Sequence, residues 1–402
     1  MGDCFLMGPQ KKRWKNIKNR QELLLGEEMK KVSFNHVAIK GIKTTIPQRY
    51  IDIDDELQYF DNNPKKLARA KKMMGYGRRY IADELTTVTD LAIDAAEKLM
   101  AEMKIDRNDI DLLIFVNQKP DYKEPNDACI AHGRLNLKKD CTSLDINMGC
   151  SGYVHALMTA HALVSTGAYK SCLLLAGDLC ARASDQTNRK VAPVFGDAAS
   201  ATILQYTSEN REAFFVTGTD GLGWDKIIYP LGGMRLPLDK ETIDLRVEDI
   251  TGNWVLLRQV VMKGEDVFNF TMEVAPQLIK ETMQAAGWAV DDVDLFAIHQ
   301  ANKQITDNII AKTEIPSEKA PSDVFSKYAN NSTNSVVTVI SDQQKSLNKT
   351  ILCAFGIGLS WGGAALDLTG FYNGGISTYE PSLNRPTREE QINYWINYFK
   401  GE

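Results

Sequence analysis

Short apolar runs that alternate with segments of helical period constrain this chain more than any other feature. Leu112–Val116 and Cys172–Ala176 are apolar at nearly every position, and Ala201–Tyr206 reads as a further strand. A strand that is apolar on consecutive residues is covered on both faces, which calls for helices on either side of a sheet. Between these runs, Val88, Leu91, Ala92, Ala95, Leu99 and Met100 follow the helical period, with Thr86 placed to cap them. The second half repeats the theme with a helix from about Glu265 to Ala286, a strand Leu295–Ile298 and late strands at Thr350–Ala354 and Ala364–Thr369. Pro276 inside that helix should kink it or leave a carbonyl unpaired. The first strand-like segment is Val32–Ile42, and the two α/β halves meet near residue 210.

Four stretches carry candidate chemistry. Asp145-Ile146-Asn147-Met148-Gly149-Cys150-Ser151-Gly152-Tyr153 puts one cysteine at a tight turn before a small-residue helix whose buried face is Ala156, Ala160 and Val164. A helix start offers free N–H groups and the positive end of the dipole, which lowers a thiol pKa. The bland reading is a buried, inert cysteine. His299-Gln300-Ala301-Asn302 closes a probable strand, and Tyr328–Ser335 is an Asn-rich loop that begins a helix. Ala354–Gly363 is a glycine-rich turn that lets backbone N–H groups approach a ligand. Gly218–Gly223 lacks the strand-to-helix spacing of a dinucleotide fingerprint and reads as a turn.

Composition narrows the partners. A net charge of −5 argues against nucleic acid as the main partner, and no apolar run reaches membrane-spanning length. Seven cysteines without metal-ligand or disulfide spacing indicate no metal site and suit a reducing cytoplasm. Residues 1–31 read as an N-terminal extension, of which 1–28 are a disordered segment, an over-extended start before Met29, or a short arm packing on a dimer.

Taken in order, Cys150, His299, Asn330 and the Gly356–Gly363 turn resemble the signature of the β-ketoacyl carrier-protein synthase III family, over roughly Val32 to Phe371. The resemblance also takes in Asp178–Arg182, Ser184–Arg189 and Phe195–Ala201. It implies a thiolase-like fold of two similar α/β halves in a layered α-β-α-β-α architecture, with halves 32–210 and 211–372 and a tail 373–402 carrying a short helix. It further implies a cytoplasmic homodimer without cofactor, working on an acyl thioester (acyl-CoA or acyl carrier protein) and malonyl carrier protein. Cys150 would take the acyl group, with the backbone N–H groups of Cys150 and Ile357 as oxyanion hole. His299 and Asn330 would hold the enolate left by malonyl decarboxylation. Elongating relatives use two histidines and thiolases a second cysteine, whereas Asn330 occupies the second position here.

Several positions depart from the family pattern. Ile357 stands where many relatives have glycine, and the window Lys65–Arg79 has no Trp to stack on the adenine of CoA. Glu124 replaces the aromatic of the dimer loop, and Gln304 replaces a carrier-docking basic residue, with Lys303 beside it. Arg189 is kept. A non-condensing acyltransferase and a poorly active acyl-binding partner subunit of a condensing complex stay open as alternatives. Residues 235–262 read either as an insertion that shapes the acyl pocket or as a surface excursion. In the tail, Thr387–Glu390 fits a capping box, and Ile392, Trp395, Ile396 and Phe399 form one face, expected to dock on the protein itself.

Overall fold

The computed structural model describes residues 28–382 and 384–401. The expected extension lies outside the described residues up to residue 27. Eleven strands build two main sheets: β1 (Lys30–Phe34), β2 (Val37–Ile46), β3 (Leu112–Asn117), β4 (Thr142–Asn147), β5 (Ser171–Leu179), β6 (Asp197–Tyr206), β7 (Ala213–Thr219), β8 (Leu295–Ile298), β9 (Lys349–Gly356), β10 (Ser360–Asp367) and β11 (Tyr372–Thr378). One sheet runs in the order β11-β2-β6-β5-β3-β4, the other β1-β7-β10-β9-β8. The inner strands are buried at every residue of β3 and β5, as continuous apolarity requires.

The predicted strand Val32–Ile42 is two strands, one in each sheet. His36 adopts φ 65°, a left-handed conformation that breaks the run between β1 and β2. β11 crosses in the opposite sense, so each sheet receives one strand from the far end of the chain.

Helices sort into three layers. α1 (Val88–Met103) packs on the outer face of the six-stranded sheet. α2 (Gly152–Val164) and α3 (Ser335–Ser341) lie between the sheets, and α4 (Gly264–Ala286) covers the outer face of the five-stranded sheet. The arrangement is therefore α-β-α-β-α. A single apolar cluster runs through the middle layer, joining Leu112, Ile114 and Val116 to Tyr153, Leu157, Val336, Leu352 and Ala364.

Local chemistry adjusts two expectations. Thr87 rather than Thr86 caps α1, in a box with Asp90, while Thr86 bonds back to Asp83. α4 continues through Pro276. The carbonyl of Met272, which the missing N–H at 276 would have served, accepts instead from Lys312 Nζ at 3.1 Å.

Residues 235–262 form a ribbon in which Arg246–Glu248 pairs with Trp254–Leu256. It is tied to the Asp185–Arg189 loop through Arg246 to Asp185 (3.2 Å) and Asn253 Nδ2 to Asn188 (3.0 Å). The tail helix α5 (Arg388–Lys400) has its capping box but not its expected docking. No residue of it is buried, Ile392 is 50% and Phe399 81% exposed, and its rings pack on one another.

Candidate active site

Cys150 sits where β4 turns into α2, and glycines on both sides make room for it. The turn closes with Gly152 N–H donating to the Gly149 carbonyl at 2.6 Å. A Cβ at Gly356, at the end of β9, would lie 2.7 Å from Cys150 Cβ and 2.8 Å from its Sγ. Only glycine permits so close an approach. Ile357 then lays its Cγ2 over Gly149, where a Cβ would come within 2.3 Å.

The backbone N–H groups of Cys150 and Ile357 hydrogen-bond towards Sγ, and Ser332 Oγ lies 3.8 Å away. Contrary to the expectation from the helix start, the thiol pKa is not lowered. The residue keeps partial access to solvent, but the thiol lies deep, and burial raises its pKa. The Ser332 hydroxyl and the two N–H groups offset part of that rise, while Asp178 adds to it.

His299 follows β8 and is 2% exposed, its ring edge-on to Phe355 at 5.4 Å, one residue before Gly356. Its backbone N–H donates to the Cys353 carbonyl at 2.8 Å, which registers it against β9. Burial pushes its pKa down to about 4, so the ring is neutral at physiological pH. Nδ1 is buried without a hydrogen-bond partner.

Asn330 is fixed by its neighbours on both sides. Its N–H donates to Val194 and its carbonyl accepts from Gly196, while its side-chain Oδ1 accepts from Ser332 N–H at 2.8 Å. That last bond uses the amide oxygen, leaving the NH₂ as the end available to a ligand. Ala329 at φ 59° turns the chain into this loop. The Asn330–Ser332 loop and the Phe355–Ile357 turn thus bring Asn330 and His299 to the surroundings of Cys150.

Behind the thiol lies a buried polar network in which Asp178 and Ser332 belong to stretches that carry the resemblance, while Gln118 carried no motif signal. Gln118 Nε2 donates to Ser332 Oγ (2.8 Å) and Asp178 Oδ2 (3.1 Å), with Cys180 Sγ at 3.7 Å. Asp178, fully buried, also accepts from Gln118 N (3.2 Å), Thr333 N (3.1 Å) and Thr333 Oγ1 (2.6 Å). Burial raises its pKa in spite of these donors. Ser332 Oγ accepts from Gln118, and its single proton has two acceptors within reach, the Cys150 sulfur and the Asp178 carboxylate, each of whose charged forms it favours.

The other candidates lie apart from this cluster. Arg189 bonds Asp61 (3.2 Å) and the Thr251 carbonyl (2.9 Å), bracing two surface loops. Lys303 opens the helix Lys303–Thr313, pairs with Asp307 and packs its Cβ against Gly75. Glu124 is exposed in the loop before the helix Asp127–Arg134.

Sequence comparison bears on this geometry directly. Residues 144–221 match the family model for 3-oxoacyl-(acyl-carrier-protein) synthase III, and residues 283–368 match that of its C-terminal part. A Campylobacter jejuni relative named as a 3-oxoacyl-(acyl-carrier-protein) synthase 3 is 38% identical over 355 residues, covering 87% of this chain and 99% of the relative. The chain belongs to the 3-oxoacyl-(acyl-carrier-protein) synthase III family. A synthase III of Fusobacterium nucleatum is 30% identical over 333 residues, covering 81% of this chain and 97% of its own. Among solved structures, a 3-oxoacyl-(acyl-carrier protein) synthase of Burkholderia xenovorans superposes with TM-score 0.80 at 32% identity, over 87% of this chain and 99% of that one. The synthase III fold is thiolase-like, and its members are condensing transferases. The two matched segments hold Cys150 and His299 with Asn330, respectively. Among the described residues, no helix is long and apolar enough to cross a membrane.

Proposed function

We propose that this chain is a condensing enzyme that loads an acyl group onto Cys150 and joins it to a malonyl carrier thioester, in fatty-acid initiation or a specialised lipid, polyketide or glycan pathway. The observation that carries the reading is the seating of Cys150 Sγ, with glycine alone admitted opposite it and two backbone N–H groups aimed towards it. Residues 32–210 supply the nucleophile and residues 211–372 supply His299 and Asn330.

In the first step the Cys150 sulfur attacks the thioester carbonyl, and its proton leaves with the departing carrier or CoA thiol. The N–H groups of Cys150 and Ile357 bind the oxyanion of the tetrahedral intermediate. In the second, the malonyl group loses CO₂, and the enolate oxygen takes one hydrogen bond from the neutral His299 ring and one from the Asn330 amide. The enolate carbon attacks the acyl carbonyl, and Cys150 leaves as thiolate and regains its proton. A neutral His299 suits this role, since it donates without carrying a charge into a buried site.

The donor is a carrier-bound acyl group or an unusual CoA ester in preference to acetyl-CoA. Tyr76, in the window that lacks the adenine-stacking Trp, packs against Phe325 and Phe60, at 6.0 Å and 6.2 Å. Lys303 and Arg189 contribute to carrier or CoA binding, and Glu124 faces the second protomer of a homodimer. Six described cysteines are free thiols, which supports a cytoplasmic setting.

Intact-mass spectrometry after incubation with acyl-CoA and acyl-carrier thioesters tests the loading step. The protein gains the mass of one acyl group, and Cys150→Ala gains none while melting normally. An adduct that persists in the variant, or that maps to Cys129 or Cys180, refutes the assignment.

A further inference from the structure

Lys119 follows Gln118, the residue whose amide links Ser332, Asp178 and Cys180 behind the nucleophile. Its backbone is held by a bond from its N–H to Asn117 Oδ1 at 3.1 Å. Its amine lies 3.5 Å from the centroid of the Tyr229 ring. Among the described residues, that ring is the amine's one close partner, with no carboxylate or carbonyl accepting from it. The contrast with Lys43 is direct. Lys43, 5% exposed, gives its amine to both Glu102 oxygens (2.8 and 3.0 Å) and to the Gly374 carbonyl (2.8 Å).

A half-buried ammonium has three donors to satisfy, and a π face satisfies them only in part. Burial lowers the Lys119 pKa, while Cys180, Asp178 and Asp197 nearby favour the charged form. Gln118, next to Lys119 in the chain, reaches Ser332 Oγ at 2.8 Å, and that oxygen lies 3.8 Å from Cys150 Sγ, so the pair is joined to the nucleophile's surroundings through two contacts. The half-buried amine is open to an oxygen acceptor brought from outside the protein.

We propose that Lys119 and Tyr229 form a selection subsite for acyl groups that carry an oxygen acceptor, a hydroxyl or a carboxylate, on the chain. The aromatic face packs against the carbon chain while the amine binds the oxygen. The inference rests on acylation of Cys150 and narrows its substrate class.

The test is a competition for Cys150 among butyryl, 3-hydroxybutyryl and succinyl groups at equal concentration, offered as CoA and as pantetheine thioesters and read by intact mass. The wild-type protein is expected to carry the oxygenated adducts over butyryl by about tenfold, the worth of one charge-assisted hydrogen bond. Lys119→Met should bring that ratio down about tenfold, and Lys119→Arg should keep part of it. A wild-type ratio at or below one, or a ratio unchanged in Lys119→Met, overturns the subsite and leaves the acyl-Cys150 reading standing. Absence of any adduct from all six thioesters in a normally melting protein counts against acyl-Cys150 itself, and the subsite falls with it.

Discussion

Replacing Gly356 with alanine should disable the nucleophile without touching any group that does chemistry. The added methyl would stand 2.8 Å from Cys150 Sγ and 2.7 Å from its Cβ. Rotating the thiol away relieves the first clash but not the second, so the backbone of the β4–α2 turn or of the β9–β10 turn must give. Ordinary contact begins at 3.4 Å, so the 2.7 Å contact with Cβ that rotation leaves in place requires a displacement of about 0.7 Å. Overpacking of this kind typically costs about 1–3 kcal/mol of stability. The larger effect is on rate, because a misplacement of about 1 Å at a reacting atom costs on the order of 10²-fold. Gly356→Ala should therefore load Cys150 about 10- to 100-fold more slowly than wild type while melting only modestly earlier. Time-resolved intact mass with a saturating acyl thioester measures the first quantity and thermal denaturation the second. Loading within about twofold of wild type would refute the argument that the Cys150–Gly356 contact fixes the nucleophile.

Three further outcomes follow from the buried polar groups. Ser332→Ala removes a hydroxyl that favours the thiolate, so the alkaline midpoint of Cys150 alkylation should move up and alkylation at pH 8 should fall by up to about tenfold; an unmoved midpoint would remove Ser332 from the thiol's environment. Arg79→Met strands Glu56, 5% exposed and paired with Arg79 in the folded protein, and should cost about 3–5 kcal/mol in chemical denaturation; a loss under about 1 kcal/mol would mean that Glu56 finds water or another donor. Asp127 has its pKa raised to about 7 by burial, then by Asp121 and Asp145, so its contribution is fully present below the unfolded value near 3.8 and is lost as pH rises through 7. The melting-temperature difference between Asp127→Asn and wild type should accordingly shift in the variant's favour from pH 4 to pH 8, and a constant difference would show that Asp127 does not titrate in this range.

The layered fold was legible because both of its signals are local. Continuous apolarity in Leu112–Val116 and Cys172–Ala176 demanded covered strands, and the period through Val88–Met100 demanded a helix. What escaped depended on contacts made far along the chain. Nothing in Val32–Ile42 announced that His36 would turn the chain from one sheet to the other, because the residues on either side are equally strand-like. The aromatic face of Ile392–Phe399 looked fit for docking, yet amphipathicity states only that a face is apolar and not what covers it. At the site, Cys150, His299 and Asn330 stood out through turn chemistry and resemblance. Asp178 and Ser332 lay inside the quoted stretches, but the network that joins them through Gln118 was not legible, because a buried hydrogen-bond network has no periodicity. The helix start at Cys150 pointed to a lowered thiol pKa, whereas burial dominates and raises it.

The central claim is that acyl-Cys150 is condensed with a decarboxylating malonyl unit, and release of labelled CO₂ from malonyl carrier protein tests it most directly. The wild-type protein should release CO₂ in step with β-ketoacyl product. His299→Ala and Asn330→Ala should each keep acyl-Cys150 formation but lose about 10²–10³ in CO₂ release, the usual worth of one oxyanion-type donor. A wild-type protein that forms acyl-Cys150 yet releases no CO₂ from any malonyl donor, and passes the acyl group to a hydroxyl or an amine instead, would contradict the account and establish a non-condensing acyltransferase.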